Sequence, residues 1–212
     1  MKRMAASGKR TFSPAFTGLS CTALLIVSRL LAQYSALAPG IDALNTVLNI
    51  IAMCECVHLV RVTSALSFTH VWDSASGVML FSMPVVNLLV TAVQLFTGGG
   101  KIADSLLFTA LLTMFSLPAF FCYYFAFYLR VTGSRKRSGM RTVLHIAGAV
   151  YTVMRILDKA LFPFFAQKLS LQVPQILTKA VSYSSSVSFG MFIAAAAGFI
   201  VMAATYGKKR RR

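Results

Sequence analysis

Five residues carry the groups in this chain that could do proton chemistry within an apolar setting: Glu55, His58, Tyr151, Arg155 and Asp158. Residues 53–61 read Met-Cys-Glu-Cys-Val-His-Leu-Val-Arg, which sets Glu55, His58 and Arg61 at i, i+3 and i+6. On a helix they share one slowly drifting face. Tyr151 and Asp158 lie seven residues apart, nearly two turns, and share a face of a later helix. A phenol and a carboxylate held together in a dry pocket form an acid–base pair, able to remove a proton next to a thioester carbonyl and to protonate a departing hydroxyl. Ionisable groups in a lipid-spanning helix are costly and turn to a bundle interior or a wet cavity, which makes both stretches candidate sites. A second reading needs no catalysis: Arg29 and Arg155 are cations available to Glu55 and Asp158, and such ion pairs simply hold a bundle in register. No nucleophile elbow, phosphate loop, metal-ligand cluster or cofactor fingerprint accompanies these residues, so neither a metal nor a cofactor is expected.

Positioning these groups falls to helices whose natural solvent is lipid. Of the 212 residues 57% are hydrophobic and 12% charged, against about a quarter charged in an ordinary globular domain. The expected fold class is all-α, a polytopic membrane protein with a bundle of six transmembrane helices. Spans are expected over 15–38, 41–66, 76–96, 102–129, 143–165 and 176–206. They form one transmembrane domain, 14–206, between a basic N-terminal segment, 1–13, and a basic tail, 207–212. The first span is too long and too poorly terminated for a cleaved signal peptide.

The second span is the least apolar, with Asp42, Asn45, Asn49, Glu55, His58 and Arg61, a polar stripe that belongs inside the bundle. Pro84 kinks the third. The fourth carries Pro118 and closes in an aromatic run, 120–128, that fits an interfacial belt. The fifth holds His145, Tyr151, Arg155, Asp158 and Lys159, and with the second forms a polar seam. In the sixth, Ser182, Ser186, Gly190, Ala194 and Gly198 recur every four residues, letting another helix approach closely, within the bundle or across a dimer. Asp42, Asp73 and Asp104 precede apolar cores, where a carboxylate suits the positive end of the helix macrodipole. Cys21, Cys54, Cys56 and Cys122 show no zinc or disulfide-framework spacing and read as small buried hydrophobes.

Glu55 and His58, with Ser64 and Thr69 after them, resemble the Leu-Glu-x-x-His motif of the membrane 3-hydroxyacyl-CoA dehydratases, the tyrosine-phosphatase-like family of very-long-chain fatty-acid elongation. Cys54 replaces the Leu. Residues 115–123 resemble that family's Trp-Ser-x-x-Glu-x-x-Arg-Tyr, keeping Ser116 and Tyr123 without the acid and the arginine. Arg155, followed by Leu161-Phe162-Pro163, resembles the third motif, one residue short. The family's catalytic Tyr and Glu fall on Phe162 and Leu169, neither of which carries a proton. The resemblance implies six spans and a lyase acting on acyl-CoA in lipid metabolism of the endoplasmic reticulum. It also implies either an inactive relative or one whose acid–base pair moved onto Tyr151 and Asp158, with Glu55, His58 and Arg155 lining the acyl cavity.

The net charge of +16 resides in short basic runs between apolar segments, which points to topology rather than to nucleic acid. With the N-terminus cytosolic, fifteen Lys and Arg fall on the inner side and four, Lys101, Lys159, Lys168 and Lys179, on the other. A five-span arrangement would put the two basic ends on opposite faces. The acid-free start, with Lys2, Arg3, Lys9 and Arg10, also fits a mitochondrial presequence. The alternative function is therefore a non-enzymatic structural or assembly subunit of a mitochondrial or peroxisomal membrane complex, although the endoplasmic reticulum is the expected location. An ion or proton carrier ranks below both, because the halves show no repeat. Epitope tags at the two ends should show the same protease accessibility in sealed vesicles; tags on opposite sides would sink the six-span topology.

Overall fold

An apolar segment that cannot hydrogen-bond to water has to satisfy its own backbone, and a helix does so within one segment. The computed structural model describes residues 12–37, 39–63, 75–97, 115–131, 138–168, 179 and 183–209, which are almost entirely helical, with no β-strand among them. Helix α1, Phe12–Leu31, passes through a 3-10 turn, Ala32–Leu37, into α2, Pro39–Thr63. Then come α3, Ala75–Thr97, α4, Leu117–Val131, and α5, Ser138–Ile156. A π-turn, Leu157–Leu161, carries α5 into the short α6, Phe162–Lys168, and α7 is Ser184–Lys209. Asp73, Asp104, Ser182, Leu169 and the first half of the expected fourth span lie outside the described residues.

Three of these helices are long and apolar enough to cross a membrane: Pro14–Tyr34, Gly40–Thr63 and Ser186–Ala204, of 21, 24 and 19 residues. Gly77–Val93 and Leu117–Val131 are shorter apolar helices. Pro39 opens α2, where its missing N–H removes no intrahelical bond, and Asp42 sits in the same first turn. Arg29, Arg61, Arg130 and Arg155 occupy the last turns of α1, α2, α4 and α5, where a cation complements the exposed carbonyls. Hydroxyls along the apolar helices are satisfied locally: Thr22 donates to Gly18 O at 2.8 Å, Thr91 to Asn87 O at 2.8 Å and Thr152 to Gly148 O at 2.9 Å.

The chain forms two compact units, Met1–Trp72 with Phe189–Arg212, and Asp73–Ser188. In the first, α1 and α2 pack along each other as a hairpin, with Ala15, Cys21, Leu25, Ala52, Cys56, Leu59 and Val60 buried. Phe199 of α7 is fully buried, its ring lying in the space that a side chain at Gly18 would fill.

In the second unit α4 packs against both α3 and α5, so most of its faces are covered. Phe120, Phe121, Tyr123, Tyr124 and Phe127 are buried. Phe120, Tyr124 and Tyr128 stack at four-residue intervals, with centroids 6.2 and 6.4 Å apart. The aromatic run expected as an interfacial belt is thus largely core: a helix with neighbours on two sides buries rings that a one-sided reading leaves at a surface. Helix α5 is amphipathic in the inverted sense. His145 and Gly148 face Tyr123 of α4, whereas Met140, Val143, Ile146, Val150 and Val153 point outward, each 53–59% exposed.

Replacing Gly18 with Leu should force Phe199 from its seat and destabilise the first unit by about 1–3 kcal/mol. The loss should appear as a lower melting temperature in detergent, partly recovered when Phe199→Leu is paired with the smaller Gly18→Ala. An unchanged melt for Gly18→Leu would contradict this packing.

Candidate functional site

The α1–α2 hairpin encloses a line of polar contacts. Near its connecting turn, Ser28 of α1 donates to Asn45 Oδ1 of α2. Asn49, one turn further along α2, donates to Ser28 Oγ at 2.8 Å, to Asn45 O at 2.9 Å and to Asn45 Oδ1 at 3.2 Å. Two turns on, Cys21 Sγ lies 3.3 Å from Ala52 O and 3.2 Å from Cys56 Sγ. Beside that contact, Ser20 Oγ donates to Glu55 Oε1 at 2.9 Å. The polar stripe of α2 is therefore met by Ser20, Cys21 and Ser28 of α1. An amide facing a hydroxyl across two apolar helices gains a hydrogen bond and avoids the larger cost of an unmet polar group.

Glu55 shares this seam incompletely. Its Oε1 is bonded, whereas Oε2 is buried without a hydrogen-bond partner among the described residues. His58 and Arg61, which the i, i+3, i+6 spacing groups with Glu55, are exposed. The slow drift of that spacing explains the divergence: by His58 the face has turned out of the α1 contact. Cys54 is exposed as well, whereas Cys21 and Cys56 are buried and Cys122 is intermediate. The expectation of four buried cysteines thus does not hold for Cys54, because residues 54 and 56 point about 200° apart around a helix.

The other candidate residues lie in the second unit. Tyr151 is only 3% exposed, and its hydroxyl shares a 2.5 Å hydrogen bond with Ser188 Oγ, itself buried at the start of α7. Asp158 begins the π-turn just past α5, and its Oδ2 is 3.6 Å from Arg155 Nη1 and 3.4 Å from Lys159 Nζ. The ion pair expected for Asp158 and Arg155 is present, made within one helical turn. Tyr151 and Asp158 are thus engaged with different groups, where joint acid–base work requires both within hydrogen-bond reach of one substrate. Phe162, onto which the resemblance maps a catalytic tyrosine, opens α6. No group of three His, Cys, Asp or Glu able to hold a metal occurs among the described residues.

The small-residue ridge on α7 is exposed from Ser186 to Ala194 and partly covered at Gly198. Ser186, Gly190 and Ala194 are exposed, and a Cβ at Gly190 would meet nothing within 4 Å. By contrast Gly148, absent from any motif, seats Tyr123, whose ring lies 3.0 Å from where its Cβ would be.

Sequence reasoning found the acceptors and amides of α2 and missed their partners. Ser20, Cys21, Ser28 and Ser188 are single small polar residues, and only the helix opposite gives them a role. No family model, curated protein or solved structure matches the chain. The Glu55 and His58 resemblance accordingly rests on its own residues.

The Ser20–Glu55 contact distinguishes a structural carboxylate from a catalytic one. Glu55→Gln keeps the acceptor and should leave hairpin stability nearly unchanged, whereas Glu55→Ala strands the Ser20 hydroxyl and should cost about 1 kcal/mol in detergent unfolding. Equal losses for Gln and Ala would show that the charge itself is required.

Proposed function

We propose that the chain is an integral, multi-pass membrane protein of six spans whose intramembrane polar residues serve helix association, and that it acts as a non-enzymatic structural or assembly subunit of a membrane complex. The observation that carries the reading is the separate engagement of the two candidate catalytic groups: the Tyr151 hydroxyl with Ser188, the Asp158 carboxylate with Arg155 and Lys159. An acid or base in such contacts is held by the fold rather than offered to a substrate. Membrane insertion is supported by the three long apolar helices and by the outward apolar face of α5, since such faces are at home against acyl chains. The basic, acid-free first residues suit the mitochondrial form of such a subunit, the alternative to the expected endoplasmic reticulum.

A second reading is favoured by one feature. Among the described residues Glu55 Oε2 has no hydrogen-bond partner, and it lies one turn from His58 within the Glu-x-x-His resemblance, the feature that a dehydratase-like protein of the endoplasmic reticulum acting on acyl-CoA would share.

Purified protein in lipid vesicles given a 3-hydroxyacyl-CoA separates the two. The structural reading expects no enoyl-CoA above the rate in empty vesicles, and no difference between wild type, Tyr151→Phe and Asp158→Asn. Turnover that falls tenfold or more in either variant would overturn it and establish the lyase.

A further inference from the structure

We propose that Cys21 and Cys56 are a disulfide-forming pair that bolts α1 to α2. The two thiols come from residues 35 apart in sequence, on facing helices, and their sulfurs are 3.2 Å apart. That is inside the van der Waals contact of two sulfurs, about 3.6 Å, so nothing stands between them. A disulfide needs the sulfurs at about 2.05 Å and the Cα atoms within about 7 Å. Facing helices come that close only where the residues between them are small, and here they are: Cys21 Sγ reaches the main-chain oxygen of Ala52 at 3.3 Å, and Cys21, Ala52 and Cys56 are all fully buried. Closing the bond brings the sulfurs from 3.2 Å to about 2.05 Å, a shift that side-chain rotation on two closely packed helices supplies.

The chemistry is thiol–disulfide exchange with a small disulfide as the two-electron acceptor. One of the two cysteines, as thiolate, attacks a sulfur of the small disulfide, forming a mixed disulfide and releasing one small thiolate. The second cysteine, having lost its proton to solvent, attacks the cysteine sulfur of that mixed disulfide and expels the other small thiolate. Two protons leave the cysteines, two electrons come to rest on the two small thiols, and one S–S bond joins α1 to α2. Complete burial sets when this happens. Exchange occurs as the hairpin assembles or opens, and once closed the bond is shielded from soluble reductant. Cys54, exposed two residues from Cys56, lies on the opposite side of α2 and forms no part of the pair.

The test uses the full-length chain in vesicles, cycled through partial unfolding in the presence of glutathione disulfide, then denatured and counted with a maleimide–polyethylene glycol. Wild type should lose at least the two thiols of Cys21 and Cys56, with any further loss at the exposed Cys54 appearing as a glutathione adduct, and should show four again after reduction. The Cys54→Ala, Cys122→Ala variant should fall from two to none while remaining monomeric on a non-reducing gel. Peptide mass spectrometry of wild type should find the segments holding Cys21 and Cys56 joined, two hydrogens lighter than the sum of the two, a readout that does not depend on any variant folding. Retention of both thiols in the double variant, their loss only through dimers, or a linked pair other than Cys21 and Cys56 would overturn the proposal.

Discussion

A hydroxyl, amide or carboxylate placed among apolar helices costs several kcal/mol unless something polar meets it, and the arrangement of this chain follows from that constraint. Asn45 and Asn49 would destabilise α2 as an isolated span; paired with Ser28 they fix where α1 must lie along it. Ser20 with Glu55, and Cys21 with Ala52 and Cys56, repeat the registration two turns away. The spacing between these contacts leaves α1 little room to slide by a turn without stranding an amide. The same constraint acts in the second unit, where Asn87 of α3 donates to Met83 O and to Phe115 O just ahead of α4, tying the two helices together.

This constraint also governs the functional reading. Groups able to do proton chemistry are useful when an incoming substrate can compete for them. The Tyr151 hydroxyl is held by Ser188 in a contact almost closed to solvent, and the Asp158 carboxylate lies between two cations. A substrate would have to compete with these contacts, of which the buried Tyr151–Ser188 hydrogen bond is the more enclosed. Glu55 differs from them in keeping one oxygen unmatched, which is why it remains the group around which a catalytic reading is framed.

The inverted amphipathicity of α5 has the same origin. In water an amphipathic helix turns its apolar face to the core. In α5 the face holding His145 and Gly148 is turned to α4, and a row of valines and isoleucines faces out. Such a helix turns His145 inward and leaves an apolar face outward, the reverse of the arrangement suited to water. Tyr123 and Tyr124 of α4 belong to that logic, since their rings bury apolar area among the helices.

Local chemistry alone determined a good deal of this. The helical character, the start of α2 at Pro39, the cation in its last turn, and the length and apolarity of the candidate spans follow from residues within a turn or two of one another. The demand for a partner along α2 was legible as well, because an amide or a carboxylate in an apolar run announces its need wherever the partner lies. The identity of the partner was not. Serines 20, 28 and 188, together with Cys21, look unremarkable in an apolar segment, and residues 35 or 37 positions apart meet only because two helices fold back on each other. Tyr151 and Asp158 show the converse: their spacing permits a shared face, but hydrogen bonds and ion pairs are made by whichever group arrives within 3–4 Å. Only tertiary packing decides that distance, and here it gave each residue a different neighbour.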